Sequence, residues 1–205
     1  MRLGITAKTV NKVFGKGFIP EWAIMTAEKY AEYPEYLNGK SFAITNKIDG
    51  NRCIALKQGD EVTLWAGRSG QVLEGFADIE NAIRAINTDV IVLDGELTLQ
   101  DIGSLTSIEQ YQKASSIIRK DGIKTGIKLT LFDTIPCEEF FVTHKGVVPY
   151  IDRRKTLETL LPNTKETDLL YVLPVLYSGN DVSQIRVWKD WAVSTDNEGV
   201  MVMVS

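Results

Sequence analysis

Seven short runs rich in β-branched and aromatic residues, interleaved with five amphipathic stretches, constrain this chain to a mixed α+β fold. The strand-like runs are Phe42–Asn46, Cys53–Lys57, Val62–Trp65, Val90–Leu93, Lys128–Phe132, Leu169–Pro174 and Gly199–Val204. Helical periodicity covers Glu21–Tyr30, Gly75–Ile86, Ser107–Lys120, Asp152–Leu161 and Val182–Ala192, and in the second of these Phe76, Ile79, Ile83 and Ile86 share one face. Gln58-Gly59-Asp60 reads as a hairpin turn between the second and third strands, so antiparallel pairing should dominate. With 205 residues, no internal repeat and no Pro/Gly/Ser-rich linker, the expectation is one domain, 1–205, whose first 40 residues form a helical segment.

Between the first two strand-like runs lies Lys47-Ile48-Asp49-Gly50-Asn51-Arg52, which places an amine, a carboxylate, a flexible turn and a guanidinium within six residues. A lysine where one strand ends and another starts points into a cleft. Its ordinary pKa of ~10.4 leaves the amine protonated at neutral pH, so attack on phosphorus requires partial burial or nearby positive charge. The plainer reading is that Asp49-Gly50 is a hairpin turn flanked by solvated cations. Further along come Ala66-Gly67-Arg68-Ser69-Gly70, Leu93-Asp94-Gly95-Glu96, Leu131-Phe132-Asp133 and Glu198-Gly199-Val200-Met201-Val202. Glu96 follows an apolar run and Glu198 precedes one, so both carboxylates should sit at strand ends. Strand alternation buries either Leu131 or Phe132, and a core side chain is the plain reading of the phenylalanine.

Taken in order, these motifs resemble those of covalent nucleotidyltransferases, most closely the adenylation domain of ATP-dependent DNA ligases, of phage or bacterial type by compactness. The resemblance runs from about Ile44 to Val204. It implies antiparallel β-sheets flanked by helices, the fold of DNA ligases and mRNA capping enzymes, with the nucleotide cleft between sheets. It implies ATP and Mg²⁺, or Mn²⁺, as cofactors, and a covalent lysine–AMP on Lys47 with Asp49 and Arg52 in the catalytic set. Thr45 and the backbone at Ile48 would read the base edge, while Phe132 would stack on adenine. Arg52 and Arg68 would attend the phosphates, Glu96 the ribose and a metal, Asp94 the support of the site, and Glu198 the metal. The partner implied is nicked double-stranded DNA, with the chain expected to be a monomer. In the family a motif with paired lysines and an OB-fold domain follow; the chain stops at Ser205, so both are expected to be absent. An mRNA capping guanylyltransferase, an RNA ligase, or a remnant that binds nucleotide or DNA without turnover remain alternatives on these residues.

Charge bears on the partner. A net charge of −4 argues against gripping nucleic acid by bulk electrostatics, so contacts must come from local basic patches. No stretch is long and apolar enough to cross a membrane, the N-terminus lacks a leader-like apolar run, and two isolated cysteines match no disulfide or zinc framework, so a cytoplasmic chain is expected. The single histidine, His144, supports neither a triad nor a zinc site and reads as a loop side chain. Asp121-Gly122 reads as a plain turn, and Trp188 and Trp191 as core residues of a helix.

Overall fold

Nine strands form two sheets in the computed structural model, which describes residues 12–13, 24–67, 69–143 and 146–204. The smaller sheet has β1 (Phe42–Asn46) at its centre, paired antiparallel with β8 (Val175–Gly179) and β9 (Val200–Val204). The larger runs β4-β3-β2-β5-β6-β7, from β2 (Asn51–Gln58), β3 (Glu61–Ala66), β4 (Val72–Leu73), β5 (Val90–Leu99), β6 (Ile127–Ile135) and β7 (Leu170–Val172). Only the β6–β7 pair in it is parallel. The β2–β3 hairpin turns at Gly59, whose φ of 59° suits glycine, as the sequence predicts.

One face of the large sheet carries the main core. Cys53, Ala55, Leu64, Leu93, Leu97, Leu129 and Leu131 pack there against α1 (Ala77–Arg84), α2 (Ser107–Ile118) and Leu157 of α3 (Tyr150–Leu160). The predicted stripe of Phe76, Ile79, Ile83 and Ile86 is buried in this core. Lys57 follows α1 round, donating to the carbonyls of Arg84 and Ile86 and capping the helix C-terminus. A capping box starts α2, with Thr106 Oγ1 accepting from Glu109 N and Glu109 returning a bond to Thr106 N. Phe42 and Ile44 of the small sheet pack on Leu37, Ile185 and Trp188, the last two from α4 (Ser183–Ser194). Trp188 is partly buried and packs against this core, whereas Trp191 is 38% exposed at the helix surface.

Three expectations change. β1 and β2 are not paired, so Lys47–Gly50 is a crossover between sheets and Asp49-Gly50 is no hairpin turn. The apolar run at Val90 continues as a strand to Leu99, which puts Asp94 and Glu96 in mid-strand instead of at its end. Pairing on both flanks overrides the turn preference of Asp-Gly, and a register shift between Asp94 and Gly95 absorbs the misfit. At Gly95 a Cβ would lie 2.4 Å from the Thr130 carbonyl oxygen, so only glycine allows this approach. The described part of the predicted Glu21–Tyr30 helix is irregular over residues 24–29 and gives only 3-10 turns at Tyr30–Glu32 and Pro34–Leu37. Met25 O accepts from Arg52 Nη1 at 2.6 Å, a tertiary partner in place of a helical N–H, and Pro34 cannot continue a helix. The remainder of the expected 1–40 helical segment lies largely outside the described residues.

Candidate functional site

Lys47 leaves β1 with its backbone still paired, Lys47 N donating to Gly199 O at 2.9 Å, so the end of β1 and the start of β9 are held together. That pairing brings Glu198 alongside, and its carboxylate forms an ion pair with the Lys47 ammonium. The two side chains are 40% and 47% exposed, so each can be reached from solvent. Asp49 stands next to them; burial first, then the charge of Glu198, pushes its carboxyl above the usual range, with Lys47 opposing.

The crossover then meets β5. A Cβ on Gly50 would lie 2.9 Å from both Glu96 Cβ and Leu97 O, so the glycine is required by close approach and not by a turn. Arg52 forks onto Asp94, with Nε to Oδ1 at 3.0 Å and Nη2 to Oδ2 at 2.6 Å. Asp94 is 1% exposed. Burial pushes its carboxyl up while the guanidinium fork pulls the other way. The same guanidinium lies 5.6 Å from the centroid of Phe132. Leu131 is fully buried in the core, which leaves Phe132 on the opposite face of β6 and half-buried. The phenylalanine is therefore available to a planar ligand.

Glu96 is pushed up to about 8 by burial, with Asp94 and Asp49 adding to the rise and Arg52 and Lys47 opposing it. Its Oε2 is buried without a hydrogen-bond partner among the described residues. Between its ordinary 4.5 and about 8 the folded chain holds a proton that the unfolded chain has released, so stability falls as pH rises through that window. Glu96→Gln should flatten this slope, leaving the variant more stable than wild type by up to ~5 kcal/mol at pH 9 and about equal at pH 4. Urea unfolding at pH 4, 7 and 9 checks it; parallel pH curves for the two proteins would contradict it.

Asn46, Lys47, Ile48, Asp49 and Glu198 line a cavity of about 380 Å³ that runs on past Thr98 and Thr130 to Lys128 and Tyr171. Glu96, Arg52 and Phe132 lie outside its lining, and Thr45 is 2% exposed within the small sheet. The crossover thus gathers Lys47, Ile48, Asp49 and Glu198, with Arg52, Asp94, Glu96 and Phe132 as a second group adjoining it. Arg68 and His144 lie outside the described residues.

Sequence reasoning missed several residues. Arg153 of α3 forks onto Asp133, with Nε to Oδ1 at 2.9 Å and Nη2 to Oδ2 at 2.7 Å, and Tyr150 one turn earlier donates to Phe132 O at 3.4 Å. Tyr150 precedes the expected helix start at Asp152, so no spacing in the sequence pointed to this brace. Lys128 donates to Glu166 O at 2.6 Å, and burial lowers its pKa. Asn46 and Asn197 hydrogen-bond at 2.7 Å beside Lys47 and Glu198.

Among the described residues no three His, Cys, Asp or Glu side chains converge as a metal cage. The carboxylates of Glu198 and Asp49, with the orphaned Glu96 Oε2 behind them, instead suit a hard cation that takes most of its ligands from phosphate and water.

Residues 24–204 match the family model of the ATP dependent DNA ligase domain. DNA ligase 2 of Thermofilum pendens is 26% identical over 175 residues, covering 83% of this chain and 28% of its own length. The DNA ligase of Methanocaldococcus jannaschii is 25% identical over 175 residues, covering 76% of this chain and 30% of its own. A solved structure named Pmar-Lig_PreS3 shares the fold, with a TM-score of 0.71 over 98% of this chain and 47% of that one, at 24% identity. The chain spans less than a third of the length of these curated relatives.

Proposed function

This chain belongs to the ATP dependent DNA ligase domain family, and from that premise we propose that it takes AMP from ATP onto Lys47 and passes it to the 5′-phosphate of nicked DNA. The observation that carries the reading is the crossover itself: one exposed lysine, set between two sheets by paired strands, facing Glu198 with Asp49 and Glu96 close behind. The amine gives up its proton and attacks the α-phosphorus of ATP. A nitrogen–phosphorus bond forms, the bond to the β-phosphate oxygen breaks, and pyrophosphate leaves. A DNA 5′-phosphate oxygen then attacks the same phosphorus and frees Lys47, after which a 3′-hydroxyl closes the strand and AMP departs.

In this scheme Phe132 stacks on the purine, while Thr45 and the backbone at Ile48 read its edge. Arg52 with Arg68 attends the phosphates and Glu96 the ribose. Asp94 holds the Arg52 fork in place, and Arg153 braces the end of β6 next to Phe132 through Asp133. Glu198 and Glu96 would hold Mg²⁺ or Mn²⁺, which when bound supplies positive charge to the phosphates. Nicked duplex DNA as substrate, a monomeric state and a cytoplasmic location complete the proposal. No helix among the described residues is long and apolar enough to cross a membrane.

Purine choice tests the reading against a guanylyltransferase. With α-labelled nucleotide, ATP should label the protein at least ~10-fold faster than GTP, since base-edge hydrogen bonds discriminate far more strongly than stacking. Faster labelling by GTP would reject the ligase reading in favour of the capping one.

A further inference from the structure

We propose that the side-chain amides of Asn46 and Asn197 form a clasp that sets the spacing of Lys47 and Glu198, making both asparagines positioning residues. The inference rests on the reading of Lys47 as the nucleophile.

Asn46 is the last residue of β1 and immediately precedes Lys47, while Asn197 immediately precedes Glu198. Their hydrogen bond, Asn46 Nδ2 to Asn197 Oδ1 at 2.7 Å, therefore joins the two residues next to the ion pair. The polarity of this bond is fixed by its surroundings. Asn197 Nδ2 donates to Thr195 O at 3.2 Å and to Thr195 Oγ1 at 2.8 Å, and a carbonyl can only accept. Asn197 must therefore turn its oxygen towards Asn46, and Asn46 must present its nitrogen.

The strap that carries Glu198 is pinned elsewhere too. Asn197 N donates to Ala192 O at 2.8 Å near the end of α4. Asp196, in the left-handed region with φ of 57°, accepts from Ser107 N at 3.0 Å in the first turn of α2. These contacts fix the strap to two helices; to the nucleophile's own strand it is tied by the backbone bond Lys47 N to Gly199 O, by the ion pair itself and by the Asn46 bond, which alone of the three joins two neutral side chains. The ion pair cannot hold that spacing alone, because exposed pairs contribute only ~0–1 kcal/mol. Asn46 Oδ1 is buried with no partner among the described residues, a cost that a plain spacer such as serine or alanine would avoid. The asparagine is explained by what its nitrogen holds. Spacing of the nucleophile and an acidic partner matters because small misplacements of reacting groups carry large rate penalties.

The test measures formation of the AMP adduct on the whole chain in a single turnover, across ATP concentrations. Asn46→Ala and Asn197→Ala should each lower the rate at saturating ATP by at least ~10-fold, with the half-saturating ATP concentration changed less than ~2-fold. Asn197→Asp keeps an acceptor for Asn46 Nδ2 and can take a bond from the Thr195 hydroxyl but opposes Thr195 O, so it should recover part of the rate lost in Asn197→Ala. Asn46→Asp sets oxygen against oxygen and should be as slow as Asn46→Ala. Wild-type rates in both alanine variants, or equal rates in the two aspartate variants, would overturn the clasp while leaving Lys47 as nucleophile intact. A wild-type chain that takes no AMP overturns the underlying reading, and the clasp with it.

Discussion

Arg52→Ala is expected to destabilise the fold by about 2–4 kcal/mol, because it strands the buried Asp94 carboxylate without its fork. Asp94 is 1% exposed and the Arg52 side chain 22%, so the effect should fall somewhat below that of a fully buried pair. Arg52→Lys should recover little of it, since an ammonium cannot reproduce the two parallel bonds to Oδ1 and Oδ2 or the bond to Met25 O. Replacing both partners with apolar residues of similar volume, Arg52→Met with Asp94→Leu, should recover most of the loss, because no uncompensated charge then remains. Chemical denaturation of these three variants beside wild type gives the comparison. If Arg52→Ala and the double variant are equally unstable, packing and not charge is what the fork contributes. All three variants should transfer AMP slowly or not at all, because the proposed scheme sets this guanidinium at the phosphates and it lies beside Phe132.

Lys47→Ala is expected to do the reverse, abolishing AMP transfer with almost no cost in stability. The lysine and Glu198 are 40% and 47% exposed, and such a pair contributes about 0–1 kcal/mol, so the melting temperature should move by only a few degrees. Among the described residues that line the cavity, Lys128 is the other amine, and it is engaged by Glu166 O and lies over the Tyr171 ring. The adduct rate should fall by more than ~10⁴-fold, as expected for removal of a covalent nucleophile. Retained labelling in Lys47→Ala would move the nucleophile elsewhere.

Much of this architecture is legible in the chain. The stripe from Phe76 to Ile86 reads as a helix face because α1 is amphipathic and lies on one sheet, and it is buried as read. The position of Lys47 between strands is equally plain. Which sheet each strand joins is not, because pairing partners are decided by tertiary packing: the crossover after Asn46 and the switch from β7 to β8 look like ordinary loops. The Asp94-Gly95-Glu96 segment was misread for a related reason. Asp-Gly favours turns locally, yet pairing with β2 and β6 on either side holds it extended. Period-two alternation alone left Leu131 and Phe132 interchangeable, and only the helices covering one face decide between them. The braces are harder still, since Arg153 lies twenty residues from Asp133 and Asn46 is 151 residues from Asn197. Polar residues beside a motif carry no periodicity, so nothing local announces that they meet.

The central claim is that Lys47 is the residue that takes the nucleotide. Its most direct test is the intact mass of the denatured chain after incubation with Mg²⁺ and ATP, followed by mapping of the modified peptide. The account predicts one added AMP on the peptide that contains Lys47, released by pyrophosphate and missing from Lys47→Ala. An unmodified chain, or AMP on any other residue, would contradict it.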